Sequence, residues 1–320
     1  SRIDVVQQTR PLPVPPFEVE LVATEPSAFE HATGYAYAHY TVQDNVTIML
    51  GASADFIRGP RADEDRVNPK IGVIWEASEH TTLRAAAFST LQGGLTTSKQ
   101  NIQPRLEPVQ VAGFNQFFFG GGQGEKATLR GFAVDHEFSE NVFAGIEVSR
   151  RDLEVQLVLV DPATRSIAKV DAYEDLQRAY VYWTPTTRLS FSTEYRRERF
   201  DNNGETFLGF SDMQIRRLPI EARYFHPSGF SAGLRASHIR QDGYFEPTFA
   251  PPGTPTEFAE DQFWIFDASL GYRLPNRRGV LSLNIDNLLD QDFRFQDSDP
   301  LNPSIAPERM AYFRFTLAFE

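Results

Sequence analysis

The chain has 320 residues, with 31 Lys plus Arg against 43 Asp plus Glu and a net charge of −12. That balance excludes a strongly basic nucleic-acid binder, which needs positive charge to collect phosphates. The absence of Cys excludes a disulfide framework, a thiolate zinc site and a cysteine nucleophile, and no apolar run is long enough for a transmembrane helix, although a barrel hides its apolar surface in alternation.

Residues 1–16 read as an extended periplasmic linker, because the run Pro11-Leu-Pro-Val-Pro-Pro16 stiffens an extended segment and prevents helix. Period-two alternation then dominates. It predicts strands at 17–24, 29–42, 45–58, 69–78, 81–92, 127–139, 142–158, 171–184, 188–201, 212–226, 229–246, 260–274, 279–289 and 309–320. In 188–198, Leu189, Phe191, Thr193 and Tyr195 oppose Ser190, Ser192, Glu194, Arg196 and Glu198. Successive side chains of a strand point to opposite faces, so one face is apolar and the other polar.

The connections alternate in length. Short ones fall at Gln43-Asp44, Glu79-His80, Glu140-Asn141, Pro185-Thr186-Thr187, Pro227-Ser228 and 275–278; long ones fall at 59–68, 93–126, 159–170, 202–211, 247–259 and 290–308. Short turns at one end and long loops at the other are the arrangement of an outer-membrane barrel. The predicted fold class is therefore all-β, a transmembrane antiparallel up-and-down β-barrel of about fourteen strands over 17–320, or sixteen if residues 1–14 or 104–119 add strands. The even number would put both termini on the periplasmic side of a Gram-negative outer membrane. Trp75, Phe138, Tyr182, Trp183, Tyr224, Phe225 and Tyr272 cluster near the short turns, where an aromatic girdle belongs.

Chemistry-bearing patterns are sparse. Asp135-His136-Glu137 looks like an acid–base cluster, but strand neighbours face opposite sides. Gly120-Gly-Gly-Gln-Gly124-Glu-Lys126 lacks the Gly-Lys-Ser/Thr end of a phosphate loop. No histidine has a close metal-ligand spacing, and no catalytic residue, cofactor or metal site is predicted. The polar face is more informative. Arg84, Glu137, Glu147, Arg151, Arg178, Glu194, Arg196, Glu198, Glu221, Arg223, Arg235, Asp267, Arg273, Asp286 and Arg314 fall on it and are the predicted lumen lining. Charges face lipid only at high cost, so this face surrounds water. Both signs occur at similar depth, which argues against a one-sign ion filter. The connection 93–126 contains Val109-Gln-Val-Ala-Gly-Phe-Asn-Gln-Phe-Phe-Phe119, too apolar to remain in water. The first expectation is that it folds into the lumen as a constriction anchored by Phe114, Phe117, Phe118 and Phe119, being the only internal segment long and apolar enough to do so; the second is that it binds a partner at the surface.

From Asn68 to Glu320 the chain resembles the barrel portion of TonB-dependent receptors. The resemblance is carried by Leu281-Ser-Leu-Asn-Ile-Asp-Asn-Leu-Leu-Asp-Gln-Asp-Phe-Arg-Phe295, by the aromatic ending Ala311-Tyr-Phe-Arg-Phe-Thr-Leu-Ala-Phe319, and by Asn68-Pro-Lys-Ile-Gly-Val-Ile-Trp75 with Leu106-Glu-Pro108. The ending is similar to strands read by the outer-membrane assembly machinery. Those receptors have 22 strands and an N-terminal plug, and nothing before residue 29 is long enough for a plug. A weaker, architectural resemblance is to tetratricopeptide-repeat outer-membrane proteins, whose barrel follows a periplasmic helical array. The resemblance implies a pore or translocation conduit for a polar solute or polymer, working with a periplasmic repeat domain or partner and surrounded by outer-membrane lipid and lipopolysaccharide. The alternative is a non-conducting barrel that anchors a periplasmic or cell-surface complex.

Overall fold

A computed structural model of the protein describes residues 2–5, 27–59, 63–92, 107–116, 124–160, 165–206, 209–247, 255–297 and 305–317. Fourteen strands form one antiparallel sheet that follows chain order. They are β1 (Arg2–Val5), β2 (Ser27–Val42), β3 (Val46–Arg58), β4 (Asp63–Ser78) and β5 (Thr81–Leu91), then, after a hairpin of β6 (Gln110–Val111) and β7 (Phe114–Asn115), β8 (Lys126–Ser139) and β9 (Val142–Val160). The order continues with β10 (Arg165–Thr186), β11 (Leu189–Asp201), β12 (Phe210–Phe225), β13 (Phe230–Phe245), β14 (Glu257–Arg273), β15 (Gly279–Asp286) and β16 (Met310–Leu317).

The strands predicted from 29–42 onward all appear, in order. The predicted strand 17–24 lies outside the described residues; Arg2–Val5 pairs with Ser27–Glu30 instead. Residues 110–115 form a sheet of their own, so β5 pairs directly with β8 and the extra wall strands considered over 104–119 are not formed. Other differences sit at the long-loop end. β9 and β10 stay paired up to Val160 and Arg165, so most of the connection expected over 159–170 is strand. β4 likewise begins at Asp63, inside the connection expected over 59–68. Alternation marks a strand only where one face is apolar, and strand that projects into water on both faces loses the signal. β15 stops at Asp286 rather than 289. Asn287 takes a φ of 48°, and its side chain bonds the backbone of Gln291, accepting from the N–H at 2.8 Å and donating to the carbonyl at 3.1 Å.

The two faces of the sheet differ in chemistry. Tyr195, Ile220, Leu234, Phe266, Leu283 and Phe313 are exposed along one face. Contact with lipid would take each large apolar side chain on this face out of water, worth about 1.5–3 kcal/mol apiece. Trp75, Phe138, Trp183, Tyr224 and Tyr272 are exposed near its short-turn end. Tyr182 and Phe225 depart from the predicted girdle: alternation carries both to the opposite, inner face, where Tyr182 lines a cavity. In register across the inner face run Arg84, Ala133, Glu147, Arg178, Arg196 and Arg217.

At the long-loop rim, more than a dozen residues from the short turns, Lys126 lies 3.0 Å from both Glu64 and Glu154, and Lys169 lies 2.7 Å and 3.1 Å from the same two carboxylates. Burial alone would raise both Glu pKa values. Hydrogen bonds from the two lysines outweigh it and hold both carboxyls below their ordinary range. The quartet ties β4 to β8, β9 and β10 where β5 has already ended.

Candidate functional site

Cross-strand register converts the scattered charges of the sequence into a ladder. Arg84 Nε donates to Asp135 at 2.8 Å, and its Nη2 lies 3.8 Å from Glu147. Arg178 Nη1 lies 3.8 Å from the same Glu147, while its Nε donates to Glu194 at 2.9 Å. Tyr180 donates to Asp135, and the Arg178 guanidinium lies over its ring at 4.6 Å. The Asp135-His136-Glu137 run is split by the sheet: Asp135 joins the ladder, whereas the His136 ring bonds Thr81 Oγ1 at 2.8 Å and contacts Phe138.

The remaining predicted residues form separate groups. Arg151 donates to Glu174 at 2.6 Å, and Arg196 to Glu198 at 2.7 Å. Glu221 accepts from Arg223 and, at 2.9 Å, from Arg235. Asp267 accepts the Asn287 N–H at 2.9 Å, and Asp286 lies close enough to feel its charge. Glu137 lies near a short turn, 3.9 Å from His80. Arg273 and Arg314 enter no ion pair among the described residues. Also among the described residues, no group of three or more His, Asp or Glu is placed to hold a metal ion.

A hairpin finger, residues 107–116, lies on this inner face. Phe114 is 2% exposed and packs with Val111 and Ala112 against Met49, Ala86, Phe88, Leu129 and Ala133. Two glycines make the approach possible: a Cβ at Gly72 would collide with Val111 and Ala112, and one at Gly131 with the Phe114 ring. The tip, Ala112 and Gly113, has positive φ at both residues, the requirement of a tight two-residue turn. Arg84 supports it, donating to the Ala112 carbonyl at 3.4 Å with its guanidinium over Phe114 at 5.5 Å. Arg151 donates to the Asn115 carbonyl at 3.4 Å. Phe117, Phe118 and Phe119 lie outside the described residues.

Several supports of the finger were not predicted. Lys70, whose side chain is 1% exposed, lies 3.0 Å from Glu107 and donates to Gln116 Oε1 at 2.6 Å and the Ser89 carbonyl at 3.3 Å. Tyr37 donates to Glu107 at 2.6 Å, and the Ala112 N–H points at the Met49 sulfur at 3.2 Å. Lys70 sits in a strand where alternation already places it inward. Its partners in the finger, Glu107 and Gln116, lie about 40 residues on in sequence, beyond any local pattern.

The finger is not the only segment against this face, which corrects the reading of 93–126 as the sole internal segment. Residues 287–297 and Ile305 cover the opposite half. Phe293 stacks on Phe263 at 4.5 Å and 12°, and Phe295 and Ile305 join the cluster of Ile239, Phe263 and Ile265. Gln241 donates to the Gln296 carbonyl at 2.7 Å and accepts its N–H at 2.8 Å, the pairing of a strand edge made with a side chain. Below this cover lies a cavity of about 560 Å³, walled by β10 to β15.

No protein-family profile matches the chain, and no curated protein matches it. Solved structures do. The FrpB iron transporter from Neisseria meningitidis (F3-3 variant) superposes with a TM-score of 0.68 at 13% identity, over 92% of this chain and 46% of that one. The siderophore receptor PirA from Pseudomonas aeruginosa gives 0.58 at 13%, over 92% and 47%. The copper transporter OprC gives 0.59 at 14%, over 92% and 48%. The chain thus spans less than half the length of each. At these identities the likeness is one of fold: the wall is that of a transmembrane antiparallel β-barrel, as the resemblance of Asn68–Glu320 to TonB-dependent receptor barrels implies.

Proposed function

We propose that this chain walls an outer-membrane conduit for a polar solute or polymer, constricted by the finger and supplied or relieved by a periplasmic domain or partner. The observation that carries this reading is the opposition of faces: apolar side chains exposed on one, and a charged face on the other that accepts a folded-in hairpin. About eight strands suffice to close a packed barrel core, so fourteen strands closed into a barrel would enclose more space than their side chains fill. The finger and the 287–297 segment take part of that space. The ion-paired ladder supplies polar contacts without a single net sign, fitting a solute that carries both charges or none. That the matched structures are transporters and receptors rather than enzymes supports the same reading.

In this proposal the short turns face the periplasm. A single Cys introduced at Asn203 is expected to react with a membrane-impermeant maleimide on intact cells, and one at Asn141 only after lysis. The absence of native Cys makes this readout clean. The reverse pattern inverts the topology.

Excision of residues 96–123 tests the constriction. The shortened protein is expected to keep the heat-modifiable mobility of a folded barrel and to show a larger single-channel conductance in planar bilayers. Unchanged conductance would remove the finger from the permeation path. Absence of conductance in both forms would favour the anchoring role instead.

A further inference from the structure

The outward face carries a second pattern on the long-loop side of its apolar band. On three adjacent strands Arg197, Arg216 and Arg240 stand in direct register, flanked by Gln177 on one side and Gln262 on the other, so that no carboxylate stands in the row. Alternation puts this row on the face of Tyr195, Leu218, His238 and Trp264, which lie two residues nearer the short turns on β11 to β14. Leu189 to Arg197 is nine residues of β11, and a tilted strand crosses the hydrocarbon in about 9–11. The row therefore sits where the apolar band ends.

The carboxylates that neutralise it stand farther toward the long loops. Arg216 lies 3.1 Å from Asp242 and Arg240 lies 2.7 Å from Glu260, both one row beyond. Asp201 and Asp212, which pair with Arg199, lie four residues beyond the row. Arg197 has no carboxylate partner among the described residues; it donates to Gln214 Oε1 at 2.6 Å and to Gln177 Oε1 at 3.4 Å. Arg240 keeps an Nε–H with no hydrogen-bond acceptor. Three guanidiniums thus meet two carboxylates, and N–H donors are left over, since each guanidinium has five. Cations bordering an apolar band, with carboxylates beyond them, match a molecule with apolar tails and an anionic head.

We propose that Arg197, Arg216 and Arg240 bind the phosphate of an anionic lipid in the leaflet on the long-loop side, with its acyl chains along Tyr195, Leu218 and Ile220. The inference rests on the apolar face being the one that meets lipid, and it is independent of the conduit. The planar fork of arginine fits phosphate oxygens two at a time, and clustered cations at a membrane surface recognise phosphorylated head groups. Neighbouring strands lie about 4.8 Å apart, so the three side chains start within about 10 Å of one another, within reach of one head group. Their position leaves them accessible from that side: Arg216 and Arg240 are 31% and 41% exposed. Tyr195 and Trp264, exposed beside the row, are side chains suited to the same interface.

The test is native mass spectrometry of the purified 320-residue chain released from detergent, titrated with dioleoylphosphatidic acid and with dioleoylglycerol, which share their tails and differ by the phosphate. The phosphatidic acid is expected to bind at least tenfold more tightly, and a large excess of inorganic phosphate should not displace it. Arg197→Gln with Arg240→Gln should weaken the phosphatidic acid at least tenfold and leave the diacylglycerol unchanged. Arg197→Gln alone strips no carboxylate of its cation and should weaken it at least threefold, which keeps the test open if the double variant does not fold. Arg58→Gln serves as the control: Arg58 is a rim cation on β3, held by Asp65 at 2.6 Å, and its loss should change neither lipid. Equal binding of the two lipids, insensitivity to Arg197→Gln, or equal weakening by Arg58→Gln overturns the proposal. Displacement by inorganic phosphate would assign the row to a soluble anion and overturn the lipid.

Discussion

Leu283→Arg is expected to prevent stable membrane assembly, and Asn284→Arg, one residue on, to be tolerated. Leu283 is 37% exposed on the apolar face, between Leu270 and Phe313 on the flanking strands. Asn284 pairs with Ser269 and Tyr312 on the inner side. A cationic side chain facing the bilayer midplane costs about 2–4 kcal/mol, against next to nothing on a wet inner wall. That difference amounts to a 30- to 1,000-fold change in the folded-to-unfolded ratio, on the scale of about 1.4 kcal/mol per tenfold change. Urea titration of protein refolded into lipid vesicles, followed by the heat-modifiable band, measures it directly. Equal loss in the two variants would mean that the assignment of faces is wrong at this strand.

Lys70→Met is expected to unseat the finger while the wall remains folded. The Lys70 ammonium is enclosed by Glu107, Gln116 and the Ser89 carbonyl. Its loss leaves a nearly buried carboxylate without its cation, and breaking such a pair costs about 3–5 kcal/mol. That cost is comparable to what burial of Phe114 and Val111 supplies together, about 3–6 kcal/mol, so little is left to hold the hairpin in place. The double variant Lys70→Met with Glu107→Gln should recover much of the loss, since removing both charges is close to neutral. Limited proteolysis within 107–116 reads the finger, and heat-modifiable mobility reads the wall. A finger as protected in Lys70→Met as in the parent would show that the apolar contacts of Val111 and Phe114 suffice.

The degree to which these features are legible in the sequence depends on how local their causes are. Strand positions within the lipid zone follow from period two, which survives because one face must be apolar all along. At the rim the rule fails: β10 begins at Arg165 where a loop is expected over 159–170, because the run Asp161-Pro-Ala-Thr-Arg-Ser166 carries no apolar alternation for the rule to detect. The inward direction of Arg84, Glu147 and Arg178 follows from the same alternation. Their ion pairing does not, because it requires the offset between strands that lie next to each other only once the hairpins close.

Composition and alternation by themselves determined the all-β class, the order of the strands, the segregation of loop lengths and the polarity of each face. All are consequences of backbone geometry repeated every two residues, and each is visible within a window of one strand. Only the tertiary structure decided what occupies the inner face. Lys70 meets Glu107 and Gln116, Gly131 meets Phe114, and Phe263 meets Phe293 across gaps in sequence that no local pattern spans. These contacts depend on the register between hairpins and on space left by missing side chains. Both are properties of the assembled sheet rather than of any one strand.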